Sequence, residues 1–334
     1  MQTNIGLLCY PREAGTFVRT ARAADHAGFD LVGVADSQCL LQELYTSLGV
    51  AAGETGTVEL GPTVTNPVTR HPAVTADALC TLDAHTDGRA VVGVATGDHA
   101  VRTVGREPAD LRHLRLFAER VRRLCAGDRV ECNGTLVELA WLDQPRDVPV
   151  MVTAEGPATL RLAGAVADRA LIGTGVTPDV VSDARKWVTT GAREAGRDPD
   201  DIDVWLYSRV AITDDPASIR ERLLSAVAAS AHHALQFTFE GKAVPDEHAD
   251  AIETLLAEYE PGQHAGLGGT PTNGRLVERL GLADYLTDRF AIVGPAADCR
   301  DRIAALVDRG IDGVLCNPIT DVRAFVDSFP GSGS

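Results

Sequence analysis

Apolar runs alternate with amphipathic stretches along nearly the whole chain. Residues 4–9, 30–35, 58–65, 90–97, 148–154, 169–174, 203–213 and 311–316 read as strands. Several, such as Ala90-Val91-Val92-Gly93-Val94-Ala95, are continuously apolar. A strand covered on both faces of a parallel sheet has that pattern, whereas a half-solvated strand alternates. The stretches between them read as helices. In the first, Phe17, Ala21 and Ala24 share one face and Gly28 supplies a left-handed C-terminal cap; in the last clear one, Cys299, Ile303, Leu306 and Val307 form the stripe and Gly310 the cap. The two following junctions resemble each other, Gly28-Phe29-Asp30-Leu31-Val32 and Gly310-Ile311-Asp312-Gly313-Val314, which marks a recurrent helix-to-strand junction.

Eight strands in a βαβα order favour a (β/α)8 TIM barrel, although the count by itself leaves a doubly wound open sheet available. Residues 1–330 are expected to form one domain and residues 331–334 a disordered tail. Two segments interrupt the alternation. Residues 130–139 carry Asn133-Gly134, a hairpin-turn signal. A longer insertion, about residues 232–289, falls between strands seven and eight. It holds a helix over 246–259 and a loose stretch over 261–269. Long insertions at barrel loops commonly form lids or substrate walls.

Composition narrows the function. A formal net charge of -16 disfavours nucleic acid as a partner and otherwise reads as solubility. No run of about 20 apolar residues and no signal-peptide pattern is present, so a cytoplasmic protein without a membrane span is expected. Arginine carries nearly all the positive charge, with lysine only at positions 186 and 242, which reads as genome composition. The seven cysteines are scattered and include no C-x-x-C, as expected of reduced core thiols; no metal site is expected.

Barrel enzymes draw their chemistry from the C-terminal ends of the strands. Here those ends gather Cys9-Tyr10-Pro11, Asp36-Ser37-Gln38, Thr63-Val64-Thr65-Asn66-Pro67, Thr69-Arg70-His71-Pro72, Thr96-Gly97-Asp98-His99, Thr153-Ala154-Glu155-Gly156 and Gly173-Thr174-Gly175. The fifth and sixth ends, with Glu155, Gly156 and Thr159 and then Gly173 and Thr174, suit a phosphate, because helix N-termini and tight glycine turns present unpaired N–H donors. Glu155 suits that place only if its side chain turns away. Asp98, Thr159 and His71 also have helix-capping readings, and Cys9 reads as packing. No P-loop, no GxGxxG after the first strand and no HExxH occurs.

The segment from Leu60-Gly61-Pro62-Thr63-Val64-Thr65-Asn66-Pro67 through Asp87-Gly88-Arg89 to Thr96-Gly97-Asp98 resembles the bacterial luciferase-like flavin monooxygenases and the related F420-dependent reductases, including methylenetetrahydromethanopterin reductase. Residues 290–295 and 310–314 carry the same resemblance. It implies a barrel with an isoalloxazine or deazaflavin ring at the C-terminal mouth, resting on a non-proline cis peptide at Thr63–Val64. It also implies ring and ribityl contacts from Asp36, Thr63, Val64, Thr65 and Gly97, a phosphate site at Glu155, Gly156, Thr159, Gly173 and Thr174, and an active-site acid at Asp98. Many members have a histidine after the second-strand acid, where this chain has Ser37; His71 and His99 are the replacements nearest in the chain.

The leading expectation is a monooxygenase that uses reduced FMN, supplied by a separate flavin reductase, and oxygen on a small organic substrate. The alternative is a coenzyme F420-dependent reductase or dehydrogenase that transfers hydride. A third reading is a non-catalytic flavin-binding barrel. The resemblance also implies a homodimer.

Overall fold

A computed structural model describes residues 4–260 and 272–328. The loose stretch 261–269 and the tail 331–334 lie outside the described residues. In chain order the first half comprises β1 (Asn4–Cys9), α1 (Ala14–His26), β2 (Leu31–Val34), α2 (Leu44–Ala52), β3 (Glu59–Pro62), α3 (Pro72–Thr86), β4 (Val92–Val94), α4 (His99–Arg102), α5 (Leu111–Cys125), β5 (Val130–Cys132) and β6 (Thr135–Val137). Then follow β7 (Val150–Ala154), α6 (Pro157–Val166), β8 (Arg169–Ile172), α7 (Pro178–Glu194), β9 (Asp203–Ile212), α8 (Arg220–Leu235), α9 (Asp246–Glu258), α10 (Thr272–Arg279), α11 (Ala283–Phe290), β10 (Ala291–Gly294), α12 (Ala296–Val307), β11 (Gly313–Pro318) and α13 (Val322–Ser328).

The strands pair in the order β3-β2-β1-β11-β9-β8-β7-β4, all parallel. Isolated bridges Leu60–Ala90 and Thr65–Val94 bring β3 against β4 and nearly close the ring. The eight apolar runs are thus the eight staves of a TIM barrel. Successive residues on each stave point to opposite faces. Leu8, Leu31, Val91, Met151, Leu171, Trp205 and Leu315 form the inner cluster, while Leu7, Val32, Val152, Ile172, Leu206 and Val314 pack outward in the cluster shared with the helices. Asn133-Gly134 forms the turn of the β5–β6 hairpin, both residues at positive φ.

The recurrent junction has a physical cause. Gly28 and Gly310 take φ of 79° and 78°, a conformation that a Cβ disfavours, and so end their helices. The aspartate two residues later accepts from a backbone N–H of the neighbouring strand: Asp30 from Ile5 and Asp312 from Val204, each at 2.7 Å. Asp168, before β8, does the same for Val150 at 2.7 Å. These carboxylates satisfy donors at the N-terminal end of the barrel, opposite the site.

The insertion differs from its expected bounds. Its own apolar cluster runs from Leu223 in α8 to Ala291, so it begins about one helix earlier than residue 232. It ends in β10, which was not anticipated as a strand. β9 has ten residues: Trp205–Val210 pair with β11, and Arg209–Ile212 pair with β10. No described helix is long and apolar enough to cross a membrane.

Candidate cofactor and active site

A cavity of about 530 Å³ opens at the C-terminal ends of the strands, beneath the end of α8 and the loop that follows it. A side lobe of about 260 Å³ adjoins it, and the two share Leu8, Tyr10, Thr63, Val64, Gly97, Asp98 and His233. Leu8, Leu171 and Leu315 of the inner barrel cluster form an apolar floor. The volume is in the range of sites that hold one organic ligand.

The third-strand end behaves as the resemblance implied: the Thr63–Val64 peptide is cis and both residues line the cavity. Asp36 and Thr65 reach the side lobe but are already engaged. The Thr65 hydroxyl donates to Asp36 Oδ2 at 2.7 Å, Gln38 Nε2 donates to Oδ1 at 2.5 Å, and Arg70 lies 3.4 Å from each oxygen. Both residues therefore brace the strand ends, with little hydrogen-bonding capacity left for a ligand. Gly97 has φ of 87°, and a Cβ there would lie 2.4 Å from Val101 Cγ2.

The candidate acid–base residues separate. Asp98 lines both lobes; its Oδ1 is 3.0 Å from Arg102 Nε and its Oδ2 is 3.2 Å from His233 Nδ1. His99 borders the side lobe, with Nδ1 3.1 Å from the Thr103 hydroxyl. His71 corrects the expectation. It lies outside both lobes, exposed, and its Nδ1 accepts from the Ala73 N–H at 3.2 Å as the N-cap of α3. The Pro at the first position of that helix leaves the cap to act on the next N–H.

Glu155, Gly156, Thr159 and Gly173 line the far end of the main cavity. Gly156 is the N-cap of α6, whose first N–H groups have no partner within the helix. Thr174 is a second correction: it is buried behind the wall and does not line the cavity. The Glu155 side chain packs on Gly173, where a Cβ would lie 2.8 Å from Oε1. Lys242 stands beside Gly156, almost fully buried, with Nζ donating to the Ala234 carbonyl at 2.7 Å and the Gln236 carbonyl at 3.4 Å. Burial pushes the Glu155 carboxyl up to about 7, against the opposite pull of Lys242, and pushes the Lys242 ammonium down to about 8.

The hydroxyls of Thr63, Thr153 and Thr174, at the ends of β3, β7 and β8, have no hydrogen-bond partner among the described residues. A buried hydroxyl left unpaired costs about 1–3 kcal/mol, so folded proteins leave few of them without a ligand or water to take them up. Thr63 and Thr153 line the cavity. An apolar floor, unpaired hydroxyls on the walls, and a helix N-terminus with a buried ammonium at one end together fit a planar ring, a polyol chain and a phosphate.

Sequence reasoning missed several cavity residues. Tyr10 and Tyr207 are held by Asn317, whose Nδ2 donates to their hydroxyls at 2.7 and 2.6 Å. Arg209 donates to the Ser230 hydroxyl at 3.2 Å. His233 and Lys242 come from the insertion. For Lys242 a signal existed, since it is one of only two lysines in the chain. For His233 none did.

The barrel has its cavity at the C-terminal ends of the strands and a cis peptide on the third strand, and the chain belongs to a known class: the luciferase-like monooxygenase family matches residues 4–313. Among its relatives is 5,10-methylenetetrahydromethanopterin reductase of Methanolobus tindarius, 30% identical over 306 residues that cover 88% of this chain and 87% of that one. F420-dependent glucose-6-phosphate dehydrogenase of Nakamurella multipartita is 31% identical over 229 residues, 61% of this chain and 64% of that one. The structure of the coenzyme F420-dependent tetrahydromethanopterin reductase of Methanopyrus kandleri superposes with a TM-score of 0.76 at 23% identity, covering 99% and 98% of the two chains, and so shares the fold. The chain is an oxidoreductase of this family.

Proposed function

We propose that the protein is an F420-dependent reductase or dehydrogenase that moves hydride between the deazaflavin and a small organic substrate. This displaces the FMN monooxygenase as the leading reading. The observation that carries it is the similarity over most of the chain to a methylenetetrahydromethanopterin reductase, joined by similarity to an F420-dependent dehydrogenase. When bound, the deazaflavin supplies a ring carbon that accepts or returns hydride.

The chain's own residues do the rest. Thr63 and Val64 support the ring from the third strand, and Leu8, Leu171 and Leu315 keep water from beneath it. The N-terminus of α6, Thr159 and Lys242 take the phosphate end, where helix donors and an ammonium favour an anion. Tyr10, Tyr207 and Arg209 leave a polar wall for the substrate.

Anaerobic titration with F420 and with FMN, followed by oxygen-uptake measurement, tests the reading. Tighter binding of F420 with no oxygen uptake is expected. Tight binding of reduced FMN with oxygen consumption would return the monooxygenase to first place.

A further inference from the structure

Arg209 stands where β9 passes from β11 to β10, opposite Asn317 on one side and Ala291 on the other. With Trp205 and Tyr207 it follows the two-residue period of the inner face, and it lines the main cavity. It is only 8% exposed. Nε donates to the Ser230 hydroxyl at 3.2 Å, and Cζ lies 5.5 Å from the centre of the Tyr207 ring. Among the described residues the two terminal nitrogens have no hydrogen-bond acceptor, and no carboxylate lies within ion-pair distance. Arg102, which lines the same cavity, is by contrast paired with Asp98 and Glu107, each at 3.0 Å. A buried charge without a counter-charge is costly, and a bound anion would remove that cost.

Two phenols beside it add donors. Asn317 Nδ2 gives one hydrogen to the Tyr10 hydroxyl and one to the Tyr207 hydroxyl, at 2.7 and 2.6 Å. Each phenol oxygen is thereby an acceptor already, and its own hydrogen is left to donate. Burial raises the pKa of Tyr207, so its hydroxyl keeps that hydrogen. Both phenols line the cavity. This wall therefore presents donors and a fixed positive charge, which is the chemistry of an anion site.

We propose, resting on the deazaflavin reading above, that Arg209 binds a carboxylate group of the substrate, with Tyr10 and Tyr207 as flanking donors, so that the protein acts on an organic acid. The terminal edge of a guanidinium whose Nε is engaged matches the two oxygens of a planar carboxylate. Asp98 and Glu155 line the same cavity. A phosphate ester, with nearly two charges, meets about twice the repulsion from them that a carboxylate meets. The cofactor's phosphate has a separate place. Lys242 rests on the Ala234 and Gln236 carbonyls, about one turn beyond Ser230, beside Gly156.

The test uses the full chain saturated with F420, titrated by calorimetry near neutral pH at fixed ionic strength. The probes are propionate, butyrate and hexanoate, the matching amides, and alkyl phosphates of the same chain lengths. A chain of net charge -16 repels anions in general, so uptake of one reports a local site. In the wild type the carboxylates should bind at least about 10-fold more tightly than their amides, and more tightly than the phosphates. Arg209→Gln should abolish the preference for carboxylate over amide, and Arg209→Lys should restore only part of it. Tyr207→Phe should weaken the carboxylates by about threefold to tenfold, whereas Lys242→Met should leave them unchanged. F420 affinity should stay within about threefold in the Arg209 variants. The wild-type comparison needs no variant, so it stays decisive even if Arg209→Gln does not fold. Amides or phosphates that bind the wild type as tightly as carboxylates, or a preference that survives in Arg209→Gln, would overturn the proposal and leave the cofactor reading standing. An Arg209→Gln protein that loses F420 but keeps the phosphate-free deazaflavin riboside would also overturn it, by assigning Arg209 to the cofactor's tail. Absence of F420 binding in the wild type would end both readings.

Discussion

Arg289, at the end of α11, donates through Nε to the Thr174 carbonyl at 3.0 Å and so ties the insertion to the end of β8. Its other nitrogens reach the Ala243 carbonyl at 3.0 Å, the Tyr285 hydroxyl at 2.8 Å and the Lys242 carbonyl at 2.5 Å. The side chain is buried, and burial lowers its pKa. One guanidinium therefore sets the backbone that carries Lys242. Arg289→Met strands these carbonyls, and a loss of about 3 kcal/mol is expected in urea unfolding. Arg289→Lys should recover little of it, because an ammonium lacks the planar fork.

Lys242 is expected to read the cofactor's phosphate. Two of its three donors are taken by backbone carbonyls, which leaves one for the cavity. Lys242→Met should weaken F420 by about 10- to 100-fold, the worth of one charge-assisted hydrogen bond. Affinity for the phosphate-free deazaflavin riboside, measured by the same fluorescence titration, should be unchanged. Equal loss for both ligands would place the phosphate elsewhere.

Glu155 links stability to pH. Its carboxyl is raised by burial from 4.5 to about 7 in the folded protein, so between those values the folded state holds a proton that the unfolded state has lost. The contribution of Glu155 to stability is thus fully present below the lower value and is lost as pH rises through the upper one. Glu155→Gln lacks this linkage. Its thermal midpoint relative to the wild type should climb across that window and level off above it.

His71 should prove structural. His71→Ala removes a helix cap, so a cost of about 1 kcal/mol in unfolding free energy is expected. F420 affinity and turnover should match the wild type, because the ring lies outside both lobes.

The fold was legible to a large extent. Strands buried on both faces must be apolar throughout, and the eight such runs became the eight staves. The Gly-x-Asp junctions were legible for the same kind of local reason, since a left-handed glycine ends a helix and the aspartate caps the next strand pair. β10 was not legible: four residues, Ala291–Gly294, suit a strand only because β9 extends beyond β11 to receive them.

The site divides along the same line. The cis peptide at Thr63–Val64 was implied by the family resemblance of that segment and is present, and Gly156 and Asp98, both named from strand ends, line the cavity. Whether a polar residue at a strand end faces the cavity depends on side-chain direction: Asp36 and Thr65 reach the side lobe, Thr174 lies behind the wall, and His71 takes the helix-cap role that the sequence also offered for it. His233 and Lys242 were beyond reach for a further reason. They reach the mouth only because the insertion packs its own apolar cluster and Arg289 ties it to β8. Sequence by itself determined eight strands alternating with helices and the polar strand ends, because both rest on local periodicity and local turns, whereas closure into a barrel shows in the bridges between β3 and β4. Tertiary structure alone decided which charged groups meet in the cavity, because contacts between distant segments are set by the packing of whole elements.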